Sequence, residues 1–436
     1  MLSERLKEMG VVGAGGGGFP THVKASSQVE TIIANGAECE PLIHKDVELM
    51  RHAPREILAG LAIMIEATGA RDGVFGMKEK NRAALEAVEP EARSRGVRMV
   101  LLGDFYPAGD EYELVYAATG RLIPAGGIPL AVGCVVNNVE TLFNVHQAAG
   151  DIPVTRKCVT VTGAVAEPQT LWVPVGISFG DLIAHCGGAT VDDYGLLVSG
   201  AMMGTLSFDR DDVVTKTTAG LIVLPRDHDL IERKNRPSWS MDRIGRSACD
   251  QCSYCTELCP RYLLGYDVQP HKVMRSLGFT LAGASNWNQW GQLCCACGIC
   301  TLYACPEALY PKEACDAAKV SLKAEGITFR QEKPVTVHPM KDYRRVPTSM
   351  LSKRLGLDAW ERETPFRAEE PAPEKVRIKL KQHAGAPATP AVAEGDAVRW
   401  GQPIGRPRGD ELGAVIHASI DGTVKAITKD AIEICR

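Results

Sequence analysis

No stretch of this chain stays apolar over the roughly 18 residues that a membrane-spanning helix needs. The longest candidate, Ile57 to Ala67, is interrupted by Gly60 and reads as a buried helix. The opening residues, MLSERLKEMG, lack the apolar centre of a secretory signal, so a cytoplasmic location is expected. Charge of one sign is scarce too. A formal net charge of −4 gives no reason to expect nucleic acid or an anionic membrane as a partner. At 436 residues the chain exceeds one ordinary domain, and roughly three or four are expected. Its 45% hydrophobic and 23% charged residues fit soluble globular domains.

Cysteine, by contrast, is abundant, with 15 in the chain. In a small secreted protein that would suggest disulfides. Here two regular runs make a reducing compartment the better fit. The first run is Cys249-x2-Cys252-x2-Cys255-x3-Cys259-Pro260, and the second is Cys294-x2-Cys297-x2-Cys300-x4-Cys305-Pro306. Each has the spacing of a bacterial-type [4Fe–4S] site, in which one tight loop supplies three thiolates and the fourth comes from a distance. In two-cluster ferredoxins the last cysteine of each run serves the other cluster. One quartet is therefore expected from Cys249, Cys252, Cys255 and Cys305, and another from Cys259, Cys294, Cys297 and Cys300. The second run carries an extra residue before its last cysteine, and Cys295 stands beside Cys294. Only Cys294 gives the two-residue step to Cys297. The rival readings are zinc sites, which more often use paired Cys-x2-Cys knuckles, and disulfides. Cys39, Cys134, Cys158, Cys186, Cys315 and Cys435 read as buried structural thiols.

Residues 1–150 alternate strands, Val29 to Ala34 and Arg98 to Leu102, with helical patterns. In Pro54 to Thr68 the residues Ile57, Leu58, Leu61, Met64 and Ile65 share one face. That alternation predicts an α/β layer. Residues 151–228 change character. Strands at Val159 to Gly163 and Thr170 to Val175, a helix at Phe179 to Cys186 and a strand at Leu221 to Leu224 predict a β-grasp-like module. Residues 229–345 open with a polar, linker-like stretch to about residue 240 and hold both cysteine runs. Residues 346–374, charged and carrying Pro365, Pro371 and Pro373, read as a second linker. The tail, 375–436, resembles the two halves of a lipoyl- or biotinyl-type barrel at Val392 to Gly405 and Ser419 to Val424. No carrier lysine is evident in its turn, so a structural or docking module is expected.

Gly13-Ala14-Gly15-Gly16-Gly17-Gly18 contains the G-x-G-x-x-G pattern. Alone it is weak and also fits a flexible loop. Read functionally, bare backbone closes on a phosphate or a flat ring. More residues extend it. Gly13-x-Gly15-x-x-Gly18-Phe19-Pro20-Thr21-x-x-Lys24 resembles the flavin loop of the FMN-bearing, NADH-oxidising subunit of respiratory complex I. Asn35-Gly36-Ala37-Glu38-Cys39-Glu40-Pro41, Tyr106-Pro107-Ala108-Gly109-Asp110-Glu111 and Asn137-Asn138-Val139-Glu140-Thr141 resemble that family's next three motifs, in order. The resemblance implies that Gly13, Gly15, Gly18, Lys24, Asn35, Tyr106, Gly109, Asn137, Asn138 and Thr141 hold FMN. It places Phe19, Glu38, Asp110 and Glu111 on the nicotinamide side, with NADH as electron donor. Ala37 departs from the family, which has an acid there.

The combination implies a multidomain α/β and α+β chain. A Rossmann-like FMN/NADH domain, a β-grasp (SLBB-like) module and a two-cluster ferredoxin-like helical domain would be followed by a barrel-sandwich-hybrid-like β module. Such a chain resembles RnfC, the peripheral subunit of the Rnf ferredoxin:NAD complex. RnfC typically carries its barrel at the N-terminus. The C-terminal barrel here is similar instead to the PduS-type cobalamin reductases of propanediol-utilisation microcompartments. That resemblance implies electron flow from NADH through FMN and two [4Fe–4S] clusters to a corrinoid, or to a corrinoid-handling protein such as an adenosyltransferase. It also implies microcompartment shell proteins as neighbours. A flavin belongs between these partners because NADH gives two electrons at once and a cluster accepts one. Two alternatives stand beside it: an RnfC-like subunit of a membrane complex, and an electron-transfer adaptor without NADH activity of its own.

Overall fold

Four parallel strands organise the first part of the chain. Thr31–Gly36 pairs with Asp72–Lys78 on one side and with Cys134–Asn138 on the other, and Arg98–Leu102 flanks Asp72–Lys78. The computed structural model describes residues 2–278, 287–409 and 411–436. Helices cover the sheet, so its inner strands are buried along nearly their whole length. Pro54–Thr68 forms with its expected bounds, opening on proline and closing on the left-handed Gly69. Gly60, which breaks the apolar run, is where this helix meets Val139–Ala149. A Cβ there would lie 1.8 Å from the Leu142 carbonyl oxygen.

Asp72–Lys78 shows little strand character in sequence because Gly73 and Gly76 interrupt it. Both glycines make room for neighbours: a Cβ on Gly76 would stand 2.5 Å from Leu114, and one on Gly73 would stand 2.7 Å from Ile65.

The second module is a six-stranded mixed sheet. Arg156–Gly163 runs parallel to Gly220–Pro225 at its centre and antiparallel to Gln169–Pro174. The helix Phe179–His185, capped by Ser178, packs its apolar residues into the core. The stretch after residue 228 is partly helical. Asp229–Lys234 buries Leu230 and Ile231 and exposes Asp229 and Glu232, while Arg233 donates to Thr301 O at 2.5 Å and Lys234 to Gly204 O at 2.8 Å.

Segment 346–374, expected to be a linker, carries structure of its own. Val346–Pro347 pairs antiparallel with Phe105–Tyr106, Thr348–Arg354 is helical, and Phe366–Arg367 joins the edge of the β-grasp sheet beside Gln169–Pro174. Two-residue strands have no periodicity to read, so composition alone suggested a tether.

The tail forms two small sheets around a core that includes Val376, Ile378, Ile404, Val424, Ile432 and Ile434. This barrel leans on the start of the chain. Val415 N donates to Lys7 O at 3.3 Å, Ala384 N to Gly18 O at 2.9 Å, and Arg406 pairs with Glu8 at 2.8 Å.

Candidate active site

The strand order reverses at Thr31–Gly36. The chain passes outward to two strands on one side, then returns to place Cys134–Asn138 on the other. In open parallel sheets a ligand crevice lies at the carboxyl ends beside such a reversal. The register brings Asn35 opposite Asn138, with Asn137 beside Ala34. A cavity of about 330 Å³ opens there. Gly13, Gly15, Gly18, Phe19, Lys24, Asn35, Glu38, Tyr106, Gly109, Asp110, Glu111, Asn137, Asn138 and Thr141 all line it. Four segments far apart in sequence thus meet at one place.

The glycine loop is not the strand-to-helix turn of a dinucleotide fold. The helix Leu2–Glu8 precedes it and the short helix Thr21–Ala25 follows. Its ends are pinned by Gly13 N to Phe19 O at 2.9 Å, and Ala14 N donates to Thr141 Oγ1 at 2.9 Å. Gly16 and Gly17 are exposed, with open space where a Cβ would stand. Gly15 faces protein: a Cβ would press on Asn138 at 3.1 Å. Gly109 is required for packing, because a Cβ would lie 2.4 Å from Ala37 O.

The candidate side chains differ in how free they are. Asn35 is occupied, donating to Gly109 O at 2.9 Å and accepting from Ala37 N at 3.1 Å. Asn138 caps the following helix through Glu140 N and donates to Asp46 at 2.7 Å. Lys24 donates to Val136 O at 2.6 Å, and burial lowers its pKa. Tyr106 is buried, and its hydroxyl donates to Cys297 O at 2.7 Å. Asp110 caps the helix Glu111–Thr119, accepting from Tyr112 N, and also pairs with Arg261 at 2.9 Å. Glu38 accepts from Asp46 N at 3.1 Å and Val47 N at 3.2 Å. Burial and the nearby Asp46 carboxylate push it up to about 8. Glu111 is exposed at the cavity wall.

Asn137 is the exception. It is 2% exposed, and neither its amide nitrogen nor its oxygen has a partner among the described residues. A buried amide left unpaired is costly, and a ligand offering one acceptor and one donor would satisfy it. The edge of a flavin ring does so, and the open backbone at Gly16 and Gly17 leaves space beside it. The residues present therefore fit FMN.

Several further groups at or behind the cavity received no site role from the motifs, although Cys39, Glu40 and Glu140 lie within them. Behind the cavity, Lys45 bonds Asp46 at 2.5 Å and Glu140 at 2.9 Å, and Lys157 from the β-grasp module also pairs with Glu140. Burial opposes ionisation of Glu140, but Lys157 and Lys45 outweigh it and hold the carboxyl below its usual range. Glu40 accepts from Met202 N and Met203 N, both at 2.8 Å, tying the cavity to the same module. Cys39, Cys295 and Cys297 complete the wall. Local sequence could not reveal the pairings of Glu140 with Lys157 or of Glu40 with Met202 and Met203, because those partners come from another module.

The cysteine runs fold back on each other. Cys249, Cys252, Cys255 and Cys305 surround one small hollow. Cys252 is exposed, whereas burial, with the neighbouring thiols, pushes Cys255 up to about 12. Metal binding there must displace protons. Cys259, Cys297 and Cys300 are buried. Cys294 accepts from Ala296 N at 3.3 Å and lies beside Cys315, while Cys295 lies beside Cys297. No described helix is long and apolar enough to cross a membrane.

Four family descriptions match in succession: the Nuo51 FMN-binding domain over residues 6–147, the SLBB domain over 158–206, a 4Fe-4S dicluster domain over 248–310 and the RnfC barrel sandwich hybrid domain over 362–434. The chain therefore carries an FMN-binding domain and a dicluster domain, which decides for iron–sulfur clusters over zinc. It is 43% identical to the cobalamin reductase PduS of Salmonella typhimurium, and 40% identical to that of Citrobacter freundii. Both alignments span 100% of this chain and 96% of the relative. A component of the proton-translocating ferredoxin:NAD(+) oxidoreductase complex of Clostridium ljungdahlii is 32% identical, over 59% of this chain and 55% of its own length. Among solved structures, an NAD+-reducing [NiFe]-hydrogenase shares the fold at a TM-score of 0.50 and 20% identity, over 77% of this chain and 69% of the other.

Proposed function

The chain belongs to the cobalamin reductase PduS family, and from that premise we propose that it oxidises NADH and delivers the electrons singly to a corrinoid. One observation carries this reading: Cys295 and Cys297 share a cavity wall with the flavin-motif residues, so the dicluster domain abuts the place where the flavin would bind. Bound FMN supplies the conversion of a hydride pair into single electrons. The chain's own residues do the rest. Asn137, with the backbone from Gly13 to Gly18, orients the flavin ring. Thr141, Asn138 and the buried Lys45–Glu140–Lys157 group hold that loop in place. Phe19 and Glu111 offer an apolar and an exposed acidic surface on the side where the nicotinamide would enter. The two cysteine quartets hold the clusters.

Full-length similarity to PduS, against partial similarity to the ferredoxin:NAD component, favours this reading over an RnfC-like one. We further propose an adenosyltransferase as the protein that presents the corrinoid, and a place inside a microcompartment. The test uses anaerobically purified protein. Mass analysis of the extracted flavin should give FMN, NADH should bleach it, and cobalamin should be reduced without a membrane fraction. FAD, or no flavin after reconstitution, would sink the assignment. A strict need for membranes would favour the RnfC-like reading, and an unbleached flavin would leave only an adaptor.

A further inference from the structure

We propose that Arg261 sets the reduction potential of the cluster held by Cys259, Cys294, Cys297 and Cys300, and that this cluster is the one next to the flavin cavity. The inference rests on the function proposed above. Its geometry begins with an asymmetry. Cys297 stands in the cavity wall, and its carbonyl accepts from Tyr106. None of the four cysteines of the first quartet lines that cavity.

Arg261 follows Cys259-Pro260 directly. It is 8% exposed, lies with its guanidinium 3.4 Å from the centre of the Tyr112 ring, and donates from Nη2 to Asp110. Asp110 is itself fixed as a helix cap, so the cation is held in place. Nη1 has no hydrogen-bond partner among the described residues. The Cys295 thiol lies beside the guanidinium, yet forms no bond to that nitrogen of acceptable geometry. A buried guanidinium with an idle donor is costly unless an acceptor arrives. Sulfur crowds this corner: Cys295 lies beside Cys297, and Cys294 and Cys295 both lie near Cys259. The thiolates and sulfides of a bound cluster would supply that acceptor.

Reduction adds one negative charge to a cluster. A nearby fixed cation, or an N–H donated to its sulfur, stabilises the reduced form and raises its potential. Asp110 opposes that effect. The two residues should therefore act with opposite signs on the same cluster, which a role in packing alone would not produce.

The experiment is an anaerobic redox titration of the holoprotein followed by electron paramagnetic resonance. Cys252→Ala, which removes the first quartet's cluster, assigns the signals. Arg261→Gln should lower the potential of the second-quartet cluster by about tenfold in its reduction equilibrium, about 59 mV for one electron, and leave the other in place. Asp110→Asn, which keeps a capping side chain, should raise it. Arg261→Lys, which keeps the charge, should lie between wild type and Arg261→Gln. Shifts of one sign in all three variants, a shift confined to the first cluster, or no shift in Arg261→Gln each overturn the inference while leaving the proposed function standing. A wild-type protein without clusters overturns both.

Discussion

The two cysteine quartets have nearly the same spacing and very different surroundings. Cys249, Cys252, Cys255 and Cys305 enclose a hollow of their own, with Cys252 open to solvent. Cys259, Cys297 and Cys300 are buried, with Cys294 alongside, surplus thiols at Cys295 and Cys315, and the flavin cavity on one flank. Ligand spacing says what each site holds. On the electron path proposed above, the site beside the cavity would receive electrons and the open one would hand them on, because transfer to an outside acceptor needs an approachable site.

The hardest test of that contrast removes each cluster in turn. Cys300→Ala should leave NADH bleaching of the flavin intact, stop NADH from reducing the first cluster, and take cobalamin reduction to background. Cys300 suits this better than Cys297, whose loss Cys295 could cover. Cys252→Ala should also spare bleaching, cut iron from about eight to about four per chain, and sharply reduce cobalamin turnover. If full turnover survives in Cys252→Ala, the first cluster lies off the path.

A second, smaller effect concerns register. Cys295→Ala should keep both clusters, while Cys294→Ala should lose the one beside the cavity, read by iron analysis and electron paramagnetic resonance. The reverse outcome would make Cys295 the ligand and put that cluster closer still to the flavin.

The cavity can be weakened without touching either quartet. Asn137→Leu removes an unpaired buried amide. The flavin-free protein should hold its melting temperature or gain, while FMN binding loses about 1–3 kcal/mol. Iron content should not change. Lower flavin-free stability would mean that Asn137 serves the fold and not the ligand.

The smallest effect is on pH dependence. Glu38 is raised from an ordinary 4.5 to about 8 by burial and Asp46. Between those values the folded chain keeps a proton that the unfolded chain has released, so its contribution to stability falls as pH rises through that window. Glu38→Gln should flatten the decline in melting temperature of the flavin-free protein from pH 5 to 8. An unchanged slope would assign the decline to other groups.

Much of the site was legible because its motifs are local. Asn35, Asn137 and Asn138 sit at strand ends, and the glycine loop is contiguous, so four short patterns were enough to collect the lining residues. Lys157, Glu40's partners and Arg261 were not legible. Each acts across a module boundary, where sequence separation hides contact. The strand pairings inside segment 346–374 were missed for a similar reason: two residues beside a distant strand leave no pattern of their own.

The barrel's perch on the first helix and the glycine loop has a consequence for how such chains are assembled. Lys216 Nζ donates to Gly10 O at 2.8 Å and Val415 O at 3.0 Å, so the β-grasp module, the chain start and the barrel meet at one buried knot. A barrel appended before residue 1 or after residue 374 would have its docking surface within reach from either tether. A chain that carried the module at the opposite end need not place it elsewhere in space. A permuted gene, with residues 375–436 moved ahead of Met1 through a flexible connector, should still give a protein that binds FMN.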